Sequence, residues 1–452
     1  MSIDRLLLQD LVRWKDSPRR KPLILKGVRQ CGKTWLLQHF GQLHFEDTAY
    51  FNFEHDREIA NFFEGTYNPS QIVTQLSAVA GKQILPQKTL IIFDEIQACP
   101  RALVSLKYFC EDAPEYAVAA AGSLLGVALA SKEGFPVGKV HFLNLTPCSF
   151  KEYLYASAPM LAKYIETIPL EPLQAPFTSR LTNCLREYLT FGGMPAVAST
   201  FLETRNLDET EVVLADVLES YQKDFLKHIP VREIPKLTMI WQSIPVQFAR
   251  ENKRFIFSEV RKGARAKDLE DALQWLLNAS MVSQVKQVEK PEMPLRAYEN
   301  RKLFKLYASD VGILRRLADV PMDVPLNSPD IFSEFNGRIA ENYVLEQLAA
   351  MNISPICYWS NPTGQAEVDF LIQWERDIIP IEVKSGLNLN SQSLKTYRKK
   401  YSPKLAVRFS MQNLKFDDGL LNIPLYLMGE FPRLMELAKG THATQMSHIG
   451  RD

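Results

Sequence analysis

Residue types suited to phosphate chemistry stand together near the start of the chain. The segment Gly27-Val-Arg-Gln-Cys-Gly32-Lys33-Thr34 matches the pattern GxxxxGK[ST] at every defined position. Its glycines let the backbone curl so that several N–H groups face one anion at a helix N-terminus, where the helix dipole favours negative charge. In this pattern the lysine bridges the β- and γ-phosphates and the threonine hydroxyl ligates Mg²⁺. The spacing therefore predicts a site for ATP and Mg²⁺, and we include the adjacent Trp35 in the nucleotide-binding set.

A pair of acids follows a second apolar segment. Leu90-Ile-Ile-Phe93 leads directly into Asp94 and Glu95. At the end of a central strand, Asp94 would hold the water shell of the magnesium ion, and Glu95 would orient or deprotonate the attacking water. An Asp–Glu pair in this place favours hydrolysis over binding alone. The alternative for Glu95 is a solvated acid that caps a helix.

A second group of chemical interest lies in the C-terminal part. In Glu367-Val-Asp369 both acids point to one face of a strand, and in Glu382-Val-Lys384 the acid and the lysine share a face. Carboxylates of this kind hold Mg²⁺ through Asp369 and Glu382, while Lys384 orients or activates a water for attack on a phosphodiester. The pattern predicts a catalytic role for Glu382 and Lys384.

Short apolar strands that alternate with helices must position the first group. Residues 22–25, 48–54, 90–93 and 117–121 have the character of buried strands. Strands of this kind separated by helices indicate a parallel sheet that is covered on both faces. A chain of 452 residues also has room for about three domains.

We therefore predict an α/β protein of several parts. Helices dominate after residue 150, and two helices followed by a hairpin suggest a winged-helix-like unit. A long helix and further α/β alternation complete the chain. The predicted parts are a P-loop ATPase core at 1–150, a helical lid at 151–232, a winged-helix-like domain at 233–325, an α/β nuclease-like domain at 326–435 and a flexible tail at 436–452.

Several stretches resemble the AAA-type P-loop ATPases of bacteria and archaea that carry an uncharacterised C-terminal domain. They are residues 27–37, 89–97, 121–123, 145–154 and 188–195. The resemblance implies that Ser123 is a polar sensor of the γ-phosphate, and a helix cap is the alternative. In such proteins an arginine often stands where this chain has Lys139, and lysine lacks the bidentate fork. Arg101 and Arg186 stay open as alternatives for an arginine finger.

The C-terminal acids resemble those of the PD-(D/E)xK nuclease-like superfamily. Glu341, on a helix predicted at 339–348, matches the helical acid of that fold and joins Asp369 and Glu382 as a metal ligand. A turn at Gly386 follows the motif. The resemblance implies the fold, and it leaves two interpretations open, an active nuclease and a domain that binds without cutting.

Composition narrows the class of protein. The chain is 46% hydrophobic and 23% charged, which suits a globular protein with sizeable cores. It has no run of about 18 apolar residues, and its charged N-terminus does not fit a signal peptide, so we expect neither a membrane span nor secretion. Six cysteines without a CxxC pair indicate reduced thiols and a cytoplasmic location.

The distribution of charge bears on the partners of the protein. The net charge of +1 means that DNA would have to meet a local basic patch. Residues 250–267 in the winged-helix-like part and 395–400 beyond the Glu382–Lys384 strand offer such patches, and exposed solvated faces are the alternative. One hypothesis is an ATP-dependent DNA-processing enzyme, and the other is an ATP-driven switch whose C-terminal domain docks a partner or another copy. Relatives that form rings make a homo-oligomer one of the assemblies to consider.

Overall fold

The computed structural model describes residues 3–122, 138–249, 254–327, 334–384 and 392–449. The chain divides into two compact units. One comprises Arg5–Thr146 together with Gln274–Met281, and the other described residues form the second. Ser123, Gly386 and the basic residues Arg250 and Lys253 lie outside the described residues.

A parallel sheet forms the centre of the first unit. Its strands are β1 (Leu23–Lys26), β2 (Asp47–Asn52), β3 (Thr89–Asp94), β4 (Ala117–Ala121) and β5 (His141–Asn144). In the described part of the chain the sheet has five strands in the order β2-β3-β4-β1-β5, and every neighbouring pair is parallel. The predicted parallel α/β sheet is confirmed.

Helices cover this sheet. They are α1 (Leu8–Asp16), α2 (Lys33–His44), α3 (Asn61–Gly65), α4 (Pro69–Ala80) and α5 (Pro100–Asp112). Strand β3 is buried along its whole length, as expected of a central strand with helices on both faces. One core cluster joins Phe51 and Phe93 of the sheet to Leu76 of α4 and Leu106 of α5. This packing fixes the carboxyl end of β3, where Asp94 lies.

The remaining helices follow residue 147. They are α6 (Phe150–Ser157), α7 (Pro159–Ile165), α8 (Ala175–Phe191), α9 (Pro195–Thr204), α10 (Leu207–His228), α11 (Ile234–Ala249), α12 (Phe257–Val260), α13 (Ala266–Asn278), α14 (Val311–Leu317), α15 (Asp323–Asn327), α16 (Glu334–Ala350), α17 (Gln392–Tyr401) and α18 (Phe431–Ile449). Helix α18 includes residues 436–449, which composition alone assigned to a flexible tail. Leu434, Met435 and Ala438 are buried, so its first turns pack on the unit.

The second unit contains a mixed sheet. Its strands are β6 (Val282–Val288), β7 (Glu299–Ala308), β8 (Ile356–Ser360), β9 (Glu367–Trp374), β10 (Asp377–Val383), β11 (Ala406–Ser410), β12 (Lys415–Asp417) and β13 (Leu420–Pro424). Among the described residues their order is β12-β13-β11-β10-β9-β8-β6-β7. Because β6 pairs with both β7 and β8, the hairpin that we predicted as a wing continues the C-terminal sheet. The predicted boundary at 325 therefore does not separate two sheets.

The glycine pair at 192–193 forms a close contact with the start of α14. Gly192 has φ +81°, and the Gly193 N–H donates to Oδ2 of Asp310 at 2.6 Å. Asp310 also accepts from the Ile313 N–H at 3.0 Å, as an N-cap of α14. A Cβ at position 192 would lie 2.2 Å from Oδ1 of Asp310, so this turn requires glycine.

Burial gives Asp310 an unusual titration that stability measurements can detect. Desolvation raises the pKa of its carboxyl from 3.8 to about 6, against the lowering effect of N–H donors. The folded state thus holds the proton more tightly than the unfolded state. The protonated carboxyl contributes about 3 kcal/mol to the free energy of unfolding. This contribution is complete below pH 3.8 and is lost as pH rises through 6. We expect Asp310→Asn to remove this loss, so that the variant gains about 5 °C relative to wild type between pH 4 and 7.

The measurement is thermal unfolding of the full chain at each pH. Asp319→Asn is the matched control, because that acid is 88% exposed beyond the end of the same helix. A difference between wild type and Asp310→Asn that stays constant with pH would show that Asp310 does not titrate in this range.

Candidate functional site

The loop at 27–34 depends on two glycines. Gly32 has φ +92° and is the N-cap of α2, and Gly27 has φ +153°. A Cβ at position 27 would lie 2.2 Å from the carbonyl oxygen of Leu145, so only glycine allows this approach. The loop connects β1 to α2, which is the strand–loop–helix setting in which backbone N–H groups face a phosphate.

Lys33 lies folded back into the loop. Its side chain is buried, and Nζ donates to the carbonyl oxygens of Gly27 at 3.0 Å and Val28 at 2.9 Å. The ammonium group is therefore held within the loop by two carbonyl groups. A phosphate in the loop would offer it charged oxygens, which form stronger hydrogen bonds than carbonyl groups do.

Thr34 and Asp94 meet although 60 residues separate them. The Thr34 hydroxyl donates to Oδ2 of Asp94 at 2.8 Å. Asp94 is 3% exposed, and its Oδ1 accepts from the N–H of Glu95 at 3.1 Å. The Thr34 hydroxyl and the Asp94 carboxylate therefore lie side by side where the loop ends and α2 begins. Such oxygen atoms are the ligands that Mg²⁺ takes beside a phosphate. The donor set fits MgATP.

Tyr50 is a member of this site that the sequence reasoning missed. Its hydroxyl donates to Oδ2 of Asp94 at 2.8 Å, and Asn52 Nδ2 lies 3.2 Å from the same hydroxyl. The parallel register places Asn52 opposite Asp94 and Tyr50 opposite Ile92. Burial and then the contact with Asp94 raise the pKa of Tyr50 to about 12, against the opposing hydrogen bond from Asn52, so the group donates at neutral pH.

Glu95 has the backbone geometry of a strained residue. Its φ of +48° and ψ of +46° lie in the left-handed region, which non-glycine residues rarely occupy. The side chain is half-buried, and Gln97 Nε2 donates to its Oε2 at 2.5 Å. Strain of this kind concentrates at functional sites, where the surrounding structure holds it.

The C-terminal acids lie on adjacent elements of the second unit. Glu341 of α16 accepts from the Tyr307 hydroxyl at 2.5 Å. Asp369 of β9 accepts from the N–H of Val383 at 2.9 Å, and Lys384 Nζ lies 2.8 Å from Oε1 of Glu382. The carboxylates are buried, at 2%, 5% and 3% exposed for Glu341, Asp369 and Glu382.

The structure adds a lysine to this acid set. Lys305 of β7, which the sequence reasoning missed, is fully buried. Its Nζ lies 2.7 Å from Oε1 of Glu367 and 3.3 Å from Oε1 of Glu341. Burial, and next the charge of Glu341, raise the pKa of Tyr307 well above its usual range, so this hydroxyl also donates to the acid.

The predicted metal ligands do not fit a divalent ion in this arrangement. Glu341 is engaged by an ammonium group and a hydroxyl, Asp369 by a backbone N–H, and Glu382 by Lys384. Within residues 3–122, 138–249, 254–327, 334–384 and 392–449, no three His, Cys, Asp or Glu side chains are grouped to hold a metal ion.

Three family models match the chain. The model described as AAA domain matches residues 19–154, which hold the loop, Asp94 and Glu95. Residues 19–154 form an AAA-type P-loop domain. Two models described as "Domain of unknown function", DUF8612 and DUF4143, match residues 182–323 and 336–428. No curated protein matches the chain.

Solved structures resemble the chain at low identity. The Walker-type ATPase PABY2304 of Pyrococcus abyssi is 14% identical over 70% of this chain and 96% of that one, with a TM-score of 0.44. The Aeropyrum pernix ORC1 protein, solved in complex with DNA, is 13% identical over 72% and 95%, with a TM-score of 0.29. The RuvB Holliday junction branch migration motor of Thermotoga maritima is 14% identical over 62% and 89%, also with a TM-score of 0.29.

Other predicted residues of the AAA domain have structural partners. Trp35 stacks on His39 with the ring centroids 4.8 Å apart and is 37% exposed. Lys139 forms an ion pair with Glu111 at 2.8 Å. Arg101 donates to the carbonyl of Phe63 at 2.7 Å and lies over the Tyr67 ring at 4.6 Å. Arg186 belongs to α8 of the second unit.

The two basic stretches predicted to contact DNA, at 250–267 and 395–400, include buried residues in their described parts. Tyr397 of α17 is 1% exposed and packs edge-on against Trp359, which removes it from any role in stacking on bases. The exposed cations of this helix are Lys395, Lys399 and Lys400. In the described part of the earlier stretch, residues 254–267, they are Arg261, Lys262, Arg265 and Lys267. No helix within the described residues is both long and apolar enough to cross a membrane.

Proposed function

We propose that the AAA domain binds MgATP and hydrolyses it. The observation that carries this proposal is the contact of Thr34 with Asp94 at 2.8 Å beside the buried ammonium group of Lys33. Thr34 and Asp94 would hold the Mg²⁺ ion, which when bound neutralises charge on the β- and γ-phosphates. The N–H groups of residues 27–34 bind the phosphates, and Lys33 leaves its two carbonyl partners for them.

Glu95 is the proposed base of this reaction. It follows Asp94 directly, and Gln97 holds its carboxylate. Glu95 orients the water and accepts its proton as the water oxygen bonds to the γ-phosphorus and the bond to the bridging oxygen breaks. Tyr50 positions Asp94, since its hydroxyl donates to the same oxygen that accepts from Thr34.

We infer further that ATP turnover drives a regulatory switch. Arg5 supports this inference, because its guanidinium donates to the carbonyl of Cys31 in the phosphate loop and to that of Thr146, both at 2.7 Å. Thr146 is the last residue of the first unit before the chain enters the second. A change in the loop on nucleotide binding would thus reach the point where the chain leaves the first unit.

In this proposal the C-terminal part is a docking module that does not cut nucleic acid. Its support is the engagement of Glu341, Asp369 and Glu382 by groups of the chain itself. The second candidate is an ATP-dependent DNA-processing nuclease. The observation that favours it is the distance of 2.8 Å between Lys384 Nζ and Oε1 of Glu382, beside the strand of Asp369.

Cleavage of supercoiled and linear DNA with Mg²⁺ or Mn²⁺, with and without ATP, separates the two candidates. We expect wild type to hydrolyse ATP and to leave both DNA forms intact, and Lys384→Ala to behave as wild type does. Lys404→Ala is a matched control, because this lysine is 76% exposed near the same sheet. Cleavage by wild type that disappears in Lys384→Ala would overturn the docking proposal and establish a metal-dependent nuclease.

A further inference from the structure

The ammonium group of Lys305 lies between two acids of the second unit, Glu341 and Glu367. Lys305 is fully buried, and its Nζ contacts Glu367 at 2.7 Å and Glu341 at 3.3 Å. It also lies 4.8 Å from the centre of the Tyr358 ring. A lysine is almost never buried completely unless opposite charges pair with it. The ion pairs with Glu367 and Glu341 are therefore required for the burial of Lys305.

The fold places the lysine by strand register. Lys305 lies opposite Val285 in the β6–β7 hairpin, and two residues on, Tyr307 shares its face of the sheet. Glu367 approaches from β9 and Glu341 from α16. Two separate elements thus converge on one cation that the hairpin supplies.

Cationic groups of the chain already face both carboxylates at this point. Glu341 and Glu367 contribute two negative charges, Lys305 contributes one positive charge, and Arg338 lies 4.0 Å from the other oxygen of Glu341. A divalent ion bonded to these carboxylates would have to lie close to the ammonium group, and like charges at that distance repel strongly in a buried place.

We propose that Lys305 is the resident cation of this acid set and occupies the electrostatic position of a divalent ion. The inference rests on the proposed docking role of the C-terminal part. Glu341 and Glu367 then form a latent two-carboxylate site for a hard divalent cation. Removal of the ammonium group uncovers this site, since carboxylate oxygens left without their counter-ion bind such ions.

Mn²⁺ titration of the full chain followed by electron paramagnetic resonance tests the proposal. Lys305→Met keeps the length of the side chain and removes its charge. We expect this variant to gain one Mn²⁺ site per chain at least about tenfold tighter than any in wild type, and to melt at a higher temperature when Mn²⁺ is present. Lys302→Met is the matched control on the same strand, because Lys302 is exposed and should give no new site.

A second variant keeps the test decisive if Lys305→Met folds poorly. The double variant Lys305→Met with Glu341→Gln loses one charge of each sign, so it should fold without Mn²⁺ and lose the new site. A wild type that already binds Mn²⁺ through Glu341 as tightly as Lys305→Met would overturn the proposal. A folded Lys305→Met without a new site, or variants that neither Mn²⁺ nor Glu341→Gln restores, would overturn it as well.

The Mn²⁺ experiment and the DNA cleavage experiment test two different proposals. DNA cleavage by wild type that depends on Lys384 would remove the docking proposal itself. Absence of cleavage together with absence of Mn²⁺ binding by Lys305→Met would remove only the assignment of Lys305.

Discussion

Replacement of Lys33 by alanine is expected to lower kcat/KM for ATP hydrolysis by about a thousandfold, the largest effect of any single change in the chain. Lys33 of the loop brings a full positive charge to the β- and γ-phosphates. Its ammonium group is already held next to the phosphate position by the carbonyls of Gly27 and Val28. The measurement is release of inorganic phosphate, together with titration of a fluorescent ATP analogue to follow binding.

The same substitution removes two hydrogen bonds from the loop, so folding must be checked separately. Lys88→Ala is the matched control, because this lysine lies in the same unit, is 53% exposed and pairs with Glu46 on the surface. An exposed pair of this kind contributes about 0–1 kcal/mol. We expect Lys88→Ala to retain wild-type turnover. Lys33→Ala that folds and still hydrolyses ATP at more than half the wild-type rate would contradict the assignment of the loop.

The phosphate loop was predictable because its geometry is local. The glycines, Lys33 and Thr34 occur within eight residues, and the strand before them and the helix after them are visible in the same short segment. Such a loop needs no information from distant residues to fold its N–H groups toward one point. Asp94 was predictable for a similar reason, since an apolar strand ending in an acid marks its own carboxyl end.

Tyr50 and Lys305 were missed because their roles depend on pairing between distant strands. Tyr50 reaches Asp94 only through the parallel register of β2 and β3, which places Asn52 opposite Asp94. The partners of Lys305 lie 36 and 62 residues further along the chain, at Glu341 and Glu367. A local signal was present, since Lys305 and Tyr307 alternate with the apolar Leu306. This alternation indicates that Lys305 and Tyr307 share a face of the strand, and it does not indicate which residues that face contacts.

The hairpin illustrates the same limit at the level of the fold. Two helices followed by two strands suggested a winged-helix-like domain that ends near residue 325. The strands are in fact the edge of the sheet that carries Asp369 and Glu382, because β6 pairs with β8 in parallel. Pairing between strands that are not consecutive in the chain depends on the packing of the whole unit. The pattern of consecutive segments therefore could not predict that β6 pairs with β8.

Replacement of Glu95 by glutamine is expected to separate binding from hydrolysis. Glutamine keeps the size of the side chain and an oxygen that can accept from Gln97, but it cannot take a proton from water. We expect ATP affinity within a factor of about two of wild type and a kcat lower by about a hundredfold or more, the usual contribution of a general base. Single-turnover hydrolysis and equilibrium binding of ATP measure the two quantities on the same preparation.

The alternative for Glu95, a solvated acid that caps a helix, predicts a different result. A cap can act through a glutamine oxygen, so turnover would stay near the wild-type rate. Glu115→Gln is the matched control, since this acid is exposed in the same unit and should change neither quantity. The left-handed backbone of Glu95 makes the distinction sharper. Glutamine occupies that conformation at the same cost as glutamate, so a loss of kcat with binding intact would come from the missing carboxylate and not from altered strain.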